Sequence, residues 1–455
     1  MKNVIKIIFV TFFLVGFLSC EDENVITENE IIEDLPEIRL PQVNIDTFGD
    51  EIVDEPKIEA QMTITEDEAS VFDGKIGIEI RGRSSQAFPK KQFGLEIWDE
   101  ANEGINVSLL GFPEEEDWIL YAPYSDKSLI RNVLIYDLSR DIGRYASRVK
   151  FVDVSINGEY NGVYVFMEKL KRDSNRIDIN KLKPEEISGE DLTGGYILKI
   201  DKGDGPNDTF YSEATAITSA YGPNNATSGQ NIYFLYDTPK AEDIVIEQRD
   251  YITNYMNIFE DALKGDDFTD PEIGYAKYID SESFIDFFLL NELSNNVDGF
   301  RLSTWLTKDK NEKLNMGPIW DFNLAFGNAN YCGGRDTNVW TYKFNSRCPS
   351  DFWQIPFWWD RLLQDPAFVV KLKARWQELR GSVFSNGAIM AKIDAYIEIL
   401  SLSDAIQENF EKWPVIGQYV WPNNFVGDSY TEEIEYLKDW INSRLSWLDN
   451  AIMEL

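Results

Sequence analysis

Short runs of alternating hydrophobic and polar residues fill the first half of the chain. Four clear examples are residues 75–80, 92–97, 150–154 and 163–167. A period of two places every second side chain on one face, which is typical of β-strands. Asn157-Gly158 separates the last two runs and predicts a tight hairpin, because both central residues of such a turn need a positive φ.

Helical spacing of apolar residues appears once among these strands and dominates the second half. The first helix is predicted to begin near Ser125 and to end before Gly143. Apolar residues at intervals of three and four predict further helices around residues 252–263, 284–290 and 434–448.

This order of elements predicts an α+β fold of two lobes. A β-rich N-terminal lobe is predicted for residues 38–237 and a helical C-terminal lobe for residues 238–455, with an extended joint at residues 236–239. Residues 201–230 are rich in Gly, Pro, Asn, Ser and Thr, which predicts an insertion or a lid.

Composition narrows the chemistry that such a fold can perform. The 455 residues are 43% hydrophobic and carry a formal net charge of -36, which argues against nucleic acid or an anionic lipid surface as a partner. The chain contains no His, so the usual general base of hydrolases and the commonest nitrogen ligand of zinc are both missing. Catalysis is expected to use carboxylates, Lys, Tyr or a hard cation such as magnesium, manganese or calcium.

Residues 1–20 resemble a bacterial lipoprotein signal peptide. They combine Lys2 and Lys6 with a short apolar run and end at Cys20, which would carry the lipid. A plain secretory signal or an N-terminal anchor are the alternatives. The acidic residues 21–37 predict a tether, and Glu21-Asp22-Glu23 resembles a surface-export tag. We therefore expect an exported protein held by lipid in the outer membrane, at the surface of a Gram-negative bacterium.

Export changes the expectation for the two remaining cysteines. Cys332 and Cys348 lie in one stretch rich in Gly and Asn. In an oxidising compartment, a disulfide between them is predicted, with two unpaired thiols as the alternative.

Two acidic segments flank a predicted hairpin at residues 302–320. Asp298 precedes the hairpin and Asp321 follows it, so both lie near the same end. A helix packed there would direct the two carboxylates into a common cleft, one near an acceptor hydroxyl and one near a phosphate-bound metal, as phosphoryl transfer requires. Asn323 offers a second oxygen ligand on the same face. The alternative is that both aspartates are ordinary turn residues.

Several motifs, taken together, resemble the CotH kinase family of atypical, spore-coat-type protein kinases. The motifs occur in the family's order across residues 36–420, and they are Arg81-Gly82-Arg83-Ser84-Ser85, residues 88–93, residues 117–127, Arg131-Asn132, residues 157–164, Glu168-Lys169 and residues 320–327. The resemblance implies a degenerate protein-kinase fold that uses ATP and Mg²⁺ or Mn²⁺ to phosphorylate Ser or Thr of a protein.

The resemblance also implies roles for individual residues. Asp298 would be the catalytic aspartate and Asp321 the metal-binding one, assisted by Asn323 and Ser303. Kinases usually have Asn where this chain has Ser303, and the family often has Asp where it has Asn323. Both changes weaken a second metal site, so weak activity or a pseudokinase is a further expectation.

The nucleotide side is expected on the first lobe. Arg81, Arg83 and Ser84 surround a Gly that permits close backbone approach to phosphate, although an ordinary charged hairpin explains them equally. Lys91 or Lys169 would pair with phosphate, and Glu168 is the candidate partner of that Lys.

The main alternative function is a non-catalytic surface lipoprotein for adhesion or glycan binding. Large aromatic residues cluster at 352–359, and Trp413 and Trp421 follow later in the chain. Such residues can stack on sugar rings, but they are more often part of a core. The acceptor protein and the oligomeric state stay open.

Overall fold

The computed structural model describes residues 39–227 and 230–455. The predicted signal peptide, most of the tether and the lipid site at Cys20 lie outside these residues. Twelve strands and nine α-helices occur within the described ranges. The strands are β1 (Gln42–Asp46), β2 (Ile58–Glu66), β3 (Ala69–Arg81), β4 (Gln92–Ile97), β5 (Asp117–Tyr121), β6 (Val149–Ile156), β7 (Glu159–Glu168), β8 (Tyr196–Ile200), β9 (Ala216–Thr218), β10 (Tyr233–Thr238), β11 (Thr304–Lys308) and β12 (Leu314–Met316). The helices are α1 (Arg131–Asp141), α2 (Ile246–Lys264), α3 (Ser281–Ser294), α4 (Phe344–Arg347), α5 (Trp358–Leu362), α6 (Pro366–Arg380), α7 (Asn386–Leu402), α8 (Ala405–Lys412) and α9 (Tyr430–Glu454).

The first seven strands close into a barrel in the order β1-β2-β3-β4-β5-β7-β6. All neighbours are antiparallel except β1 and β6, which close the barrel in parallel register from Gln42 opposite Asp153. The four predicted strands all belong to this barrel. Asn157 and Gly158 have φ values of 51° and 80°, so the predicted hairpin turn is confirmed.

The strands are buried on alternating sides, as their sequences require. In β5, Trp118 and Leu120 point into the barrel core with Phe166 of β7. Ile119 and Tyr121 point to the opposite side and join the large core that the helices share. The barrel is thus packed inside and covered by helices along this wall.

A second, five-stranded sheet has the order β12-β11-β8-β10-β9. Strands β8, β9 and β10 come from residues before 239, whereas β11 and β12 come from residues after 303. Residues 233–238, part of which was expected to be an extended joint, form β10 between β8 and β9. The division into lobes at residue 237 stays a prediction, and the structure shows a mixed α+β fold whose β-rich region comes first.

Helix α1 exists as predicted but begins at Arg131 rather than near Ser125. Asp126 is the reason for the later start. Its carboxylate accepts hydrogen bonds from the backbone N–H groups of Ser128 and Arg131 and from the Arg131 guanidinium. These bonds hold a turn, in which Leu129 has a φ of 67°, ahead of the helix.

The other predicted helices match α2, α3 and α9. Apolar side chains at the predicted positions are buried in all three, and they include Ile252, Phe259, Phe284, Phe288, Leu437 and Leu445. The predicted hairpin is present as β11 and β12, but β12 ends at Met316, so residues 317–321 are irregular.

Cys332 and Cys348 form a disulfide with their Cα atoms 5.8 Å apart, which confirms the predicted pairing. Along the described part of the chain, every helix is too short or too polar to cross a lipid bilayer.

Candidate active site

A cleft of about 440 Å³ brings both predicted aspartates together. Its walls come from the end of β3, the loop after β8, the segment between α3 and β11, and the segment after β12. Seven of the ten predicted site residues line it: Arg81, Arg83, Ser84, Asp298, Ser303, Asp321 and Asn323.

Asp298 is held by the end of α3. Asn295 ends this helix in a left-handed conformation, with a φ of 42°. The next residue, Asn296, accepts a hydrogen bond from the backbone N–H of Asp298 at 3.2 Å. The Asp298 carboxylate then accepts bonds from Arg301 at 2.6 Å and from the Tyr331 hydroxyl at 3.4 Å. One carboxylate oxygen is therefore fixed by protein donors.

Gly299 is required beside Asp298 by close packing. A Cβ atom at this position would lie 2.3 Å from Asn291 Oδ1 and 2.9 Å from the carbonyl oxygen of Asn296. Real Cβ contacts are never this short, so only Gly lets the segment after α3 pass so near the helix.

Asp321 is positioned by hydrogen bonds from its backbone segment to side chains of α1. The Tyr136 hydroxyl accepts a hydrogen bond from the backbone N–H of Asp321 at 3.1 Å, and Asn132 Oδ1 accepts one from the N–H of Phe322 at 2.7 Å. Tyr136 and Asn132 are four residues apart and so share one face of α1. Asp321 has a φ of 60°, in the left-handed region that non-glycine residues rarely adopt, and the two bonds hold the backbone in this conformation.

The charge around Asp321 is unbalanced. Although solvent reaches the side chain from the cleft, the surrounding protein raises its pKa from the ordinary 3.8 to about 6. Burial is the main cause and the negative charge of Asp298 adds to it, while Arg81 and Lys202 act in the opposite direction. A cation bound between the acids would offset this repulsion.

The oxygen donors in the cleft fit a hard divalent cation. Asp321 offers a carboxylate, Asn323 an amide oxygen and Ser303 a hydroxyl, and all three line the same space. Mg²⁺ and Mn²⁺ prefer such ligands. Ser303 has a φ of 46°, so it is a second left-handed residue at this site.

The loop after β3 supplies positive charge and a close backbone approach. Gly82 has a φ of 94°, and a Cβ there would lie 2.1 Å from Ser85 Oγ. The Arg81 guanidinium lies 5.7 Å from the ring centroid of Trp320, and burial lowers its pKa. A half-buried cation of this kind, facing the cleft, suits an anionic ligand.

Three predicted residues lie elsewhere. Lys91 donates a hydrogen bond to the carbonyl of Gln86 at 2.6 Å, so it braces the loop from behind. Glu168 is buried and pairs with Arg148 at 2.6 Å. Its neighbour Met167 lines the cleft, and because successive side chains of β7 point to opposite faces, Glu168 points away from it. Lys169 pairs with Asp117 at 3.0 Å. The structure does not bring these three residues to the cleft.

Sequence reasoning gave no site role to four residues that shape the cleft, namely Asn132, Tyr136, Lys202 and Arg301, although Asn132 belongs to one of the motifs of the family resemblance. Arg301 had a local signal, because it lies three residues after Asp298 and pairs with it. Lys202 had a weaker signal, since it lies at the start of the polar insertion predicted at residues 201–230. Asn132 and Tyr136 act through backbone bonds to residues about 190 positions away, which no local pattern indicates.

Three of the seven aromatic residues at 352–359, 413 and 421 belong to the core, and these are Phe357, Trp358 and Trp359. Trp353 and Trp413 are half-buried, and Phe352 is exposed. Trp421 differs, because it is 56% exposed at the rim of the cleft. Its ring stacks on Tyr331 with an interplanar angle of 6° and a centroid distance of 6.3 Å.

Two other features of the surface lie apart from the cleft. A groove of about 830 Å³ is lined in part by residues 317–319, but none of the ten predicted site residues lines it. Glu115, Glu116 and Asp117 form an acidic cluster. The Lys171 ammonium lies 2.8, 3.1 and 2.9 Å from these carboxylates, so a protein cation already occupies its centre.

Comparison with known proteins gives one assignment. No curated protein matches the sequence. The CotH kinase protein family matches residues 78–448, which include both aspartates and the loop after β3. This range covers most of the chain, and the chain therefore belongs to the CotH kinase protein family.

Proposed function

We propose that this protein is a metal-dependent kinase that transfers the γ-phosphate of ATP to a Ser or Thr hydroxyl of a protein acceptor. The observation that carries the proposal is the meeting of Asp298 and Asp321 in one cleft with a basic, Gly-containing loop. Family membership supports kinase-like chemistry. The two-lobed protein-kinase-like fold is part of the same proposal.

Each residue has a role that follows from its contacts. Arg301 holds the Asp298 carboxylate in place, leaving an oxygen to orient the acceptor hydroxyl. Asp321, with Asn323 and Ser303, would hold Mg²⁺ or Mn²⁺, which supplies positive charge against the phosphates. Arg81 adds a fixed positive charge at the end of β3, next to Trp320.

The transfer itself exchanges one phosphorus–oxygen bond for another. The acceptor oxygen forms a bond to the γ-phosphorus while the bond from that phosphorus to the β,γ-bridging oxygen breaks. ADP leaves with the bonding electron pair, and the hydroxyl proton passes to Asp298.

The test separates binding from transfer. Binding of ATP with Mg²⁺ is measured by calorimetry, and transfer is measured with γ-labelled ATP and Mg²⁺ or Mn²⁺. We expect Asp321→Ala to weaken metal-dependent ATP binding, and Asp298→Ala to keep binding but to lose transfer. Asp394→Ala is the matched control, because this aspartate lies on the exposed surface of α7. Equal labelling of the wild type and Asp298→Ala contradicts the assigned role of Asp298.

One observation favours a second function, a non-catalytic module for adhesion or glycan binding. The exposed indole of Trp421 at the cleft rim offers a flat surface of the kind on which sugar rings stack. Under this alternative, polysaccharide binding survives in Asp298→Ala and Asp321→Ala and is lost in Trp421→Ala.

We also propose that lipid on Cys20 anchors the protein in the outer membrane, facing the cell exterior. The Cys332–Cys348 disulfide supports export, because such bonds persist in oxidising compartments. Mass spectrometry of the mature protein tests this proposal, since it would begin at a diacylated Cys20. An unmodified Cys20 contradicts it.

A further inference from the structure

Four cationic side chains line the cleft, and they differ in how far the protein already uses them. These are Arg81, Arg83, Lys202 and Arg301. Arg301 is paired with Asp298 at 2.6 Å and with Asp351 at 3.2 Å. Its charge is therefore committed to carboxylates that belong to the site.

Arg83 is committed as well. Its guanidinium lies 2.7 Å from Asp208 and donates to the carbonyl of Gly203 at 2.6 Å. Both partners belong to the loop that follows β8. Arg83 thus ties the loop after β3 to this second loop and has little charge left for a ligand.

Lys202 is different. Its ammonium donates a hydrogen bond of 2.8 Å to the Ser84 hydroxyl and lies 5.6 Å from the ring centroid of Trp353. Neither partner carries a charge, and among the described residues no carboxylate lies within ion-pairing distance of it. An ammonium has three donors, so two remain for a ligand in the cleft.

We propose that Lys202 binds the phosphate oxygens of the nucleotide and that Arg83 is a positioning residue for it. This assignment rests on the proposed kinase function. Lysine binds phosphate as a compact point charge, and the Ser84 hydroxyl holds this one at the loop where Gly82 allows close backbone approach. Arg83 clamps the carbonyl of Gly203, the residue directly after Lys202, and so fixes the backbone that carries the ammonium.

The geometry separates Lys202 from the two lysines that the sequence favours. Lys91 donates to a backbone carbonyl and Lys169 pairs with Asp117, and neither lines the cleft. Lys169, which holds no part of the cleft, is therefore a control with the same side chain.

The experiment compares affinities of the purified protein for ATP with Mg²⁺ and for adenosine. Lys202→Met is expected to weaken ATP binding by about 10- to 100-fold, the range for loss of a charge-assisted hydrogen bond. Adenosine affinity stays within about twofold, because this ligand has no phosphate. Lys202→Arg restores part of the ATP affinity, and Lys169→Met leaves it near the wild-type value.

The role of Arg83 is tested by its dependence on Lys202. Arg83→Gln is expected to weaken ATP binding about 3- to 10-fold in the wild type but less than about twofold in the Lys202→Met background. Equal effects in both backgrounds overturn the positioning role. A purely structural role would lower the melting temperature without this coupling.

The outcomes distinguish this assignment from the function on which it rests. If the wild type binds ATP and Lys202→Met binds it equally well, the assignment of Lys202 fails and the kinase proposal stands. If the wild type binds neither ATP nor ADP in the presence of Mg²⁺ or Mn²⁺, the proposed function fails and the assignment with it. The melting temperature of each variant without nucleotide verifies that it is folded.

Discussion

Replacing Gly299 by Ala tests how the fold holds its proposed catalytic aspartate. The new methyl group would lie 2.3 Å from Asn291 Oδ1 and 2.9 Å from the carbonyl oxygen of Asn296. Forcing a methyl group into such a packed site costs about 1–3 kcal/mol. Moving Asn291 aside also breaks its bond to the carbonyl of Phe287, 3.0 Å long and buried, which adds about 1 kcal/mol. The expected loss in free energy of unfolding is therefore about 2–4 kcal/mol.

The assay is urea denaturation, followed by a measurement of phosphate transfer under conditions where the variant is folded. We expect transfer to fall about 100-fold, because a shift of roughly 1 Å in a catalytic group has this effect. Gly387→Ala is the matched control. Gly387 lies in the first turn of α7 with no atom near its would-be Cβ, so the substitution should stabilise by about 0.5–1 kcal/mol. A Gly299→Ala protein within about 0.5 kcal/mol of the wild type would refute the packing argument.

Three further substitutions probe charged groups. Without divalent cations, Asp321→Asn should raise the melting temperature, because it removes a carboxylate whose pKa the fold raises from 3.8 to about 6. The gain should grow between about pH 4 and pH 6 and then stay constant, and a gain independent of pH contradicts this origin. Burial lowers the pKa of Lys90 from 10.5 to about 7. Between these two pH values the unfolded chain therefore binds more protons than the folded protein. The free energy of unfolding of the wild type, relative to Lys90→Met, should thus rise by up to about 1.4 kcal/mol per pH unit above pH 7, measured by urea denaturation. Arg444→Met leaves the fully buried Glu292 without the cation that lies 3.0 Å away, and it should destabilise by about 3–5 kcal/mol in the same assay. Replacing both residues by apolar ones should recover most of that loss.

Local patterns predicted the parts of the fold that depend on neighbours in sequence. Alternation identified the barrel strands, and Asn157-Gly158 marked a hairpin because its conformation is set within the turn itself. Asp298 and Asp321 could be brought together from sequence because one short hairpin separates them.

The remaining features depend on partners far apart in the chain. Residues 236–239 looked like a joint because an isolated strand has no signal for its neighbours, yet β10 pairs with β8 and β9. Lys202 lies in a polar loop whose contact with Ser84 spans 118 positions. The sequence offered Lys91 and Lys169 instead, since their strands were visible and the loop contact was not.

The parallel pairing of β1 with β6 has a mechanical consequence. β1 is the first strand of the described chain, and it is bonded to β2 on one side and to β6 on the other. A force applied through the preceding residues runs along this strand and loads both ladders in shear, so that their bonds share the strain rather than breaking one after another. The barrel can therefore resist pulling at the end of the chain where the sequence predicts an anchor.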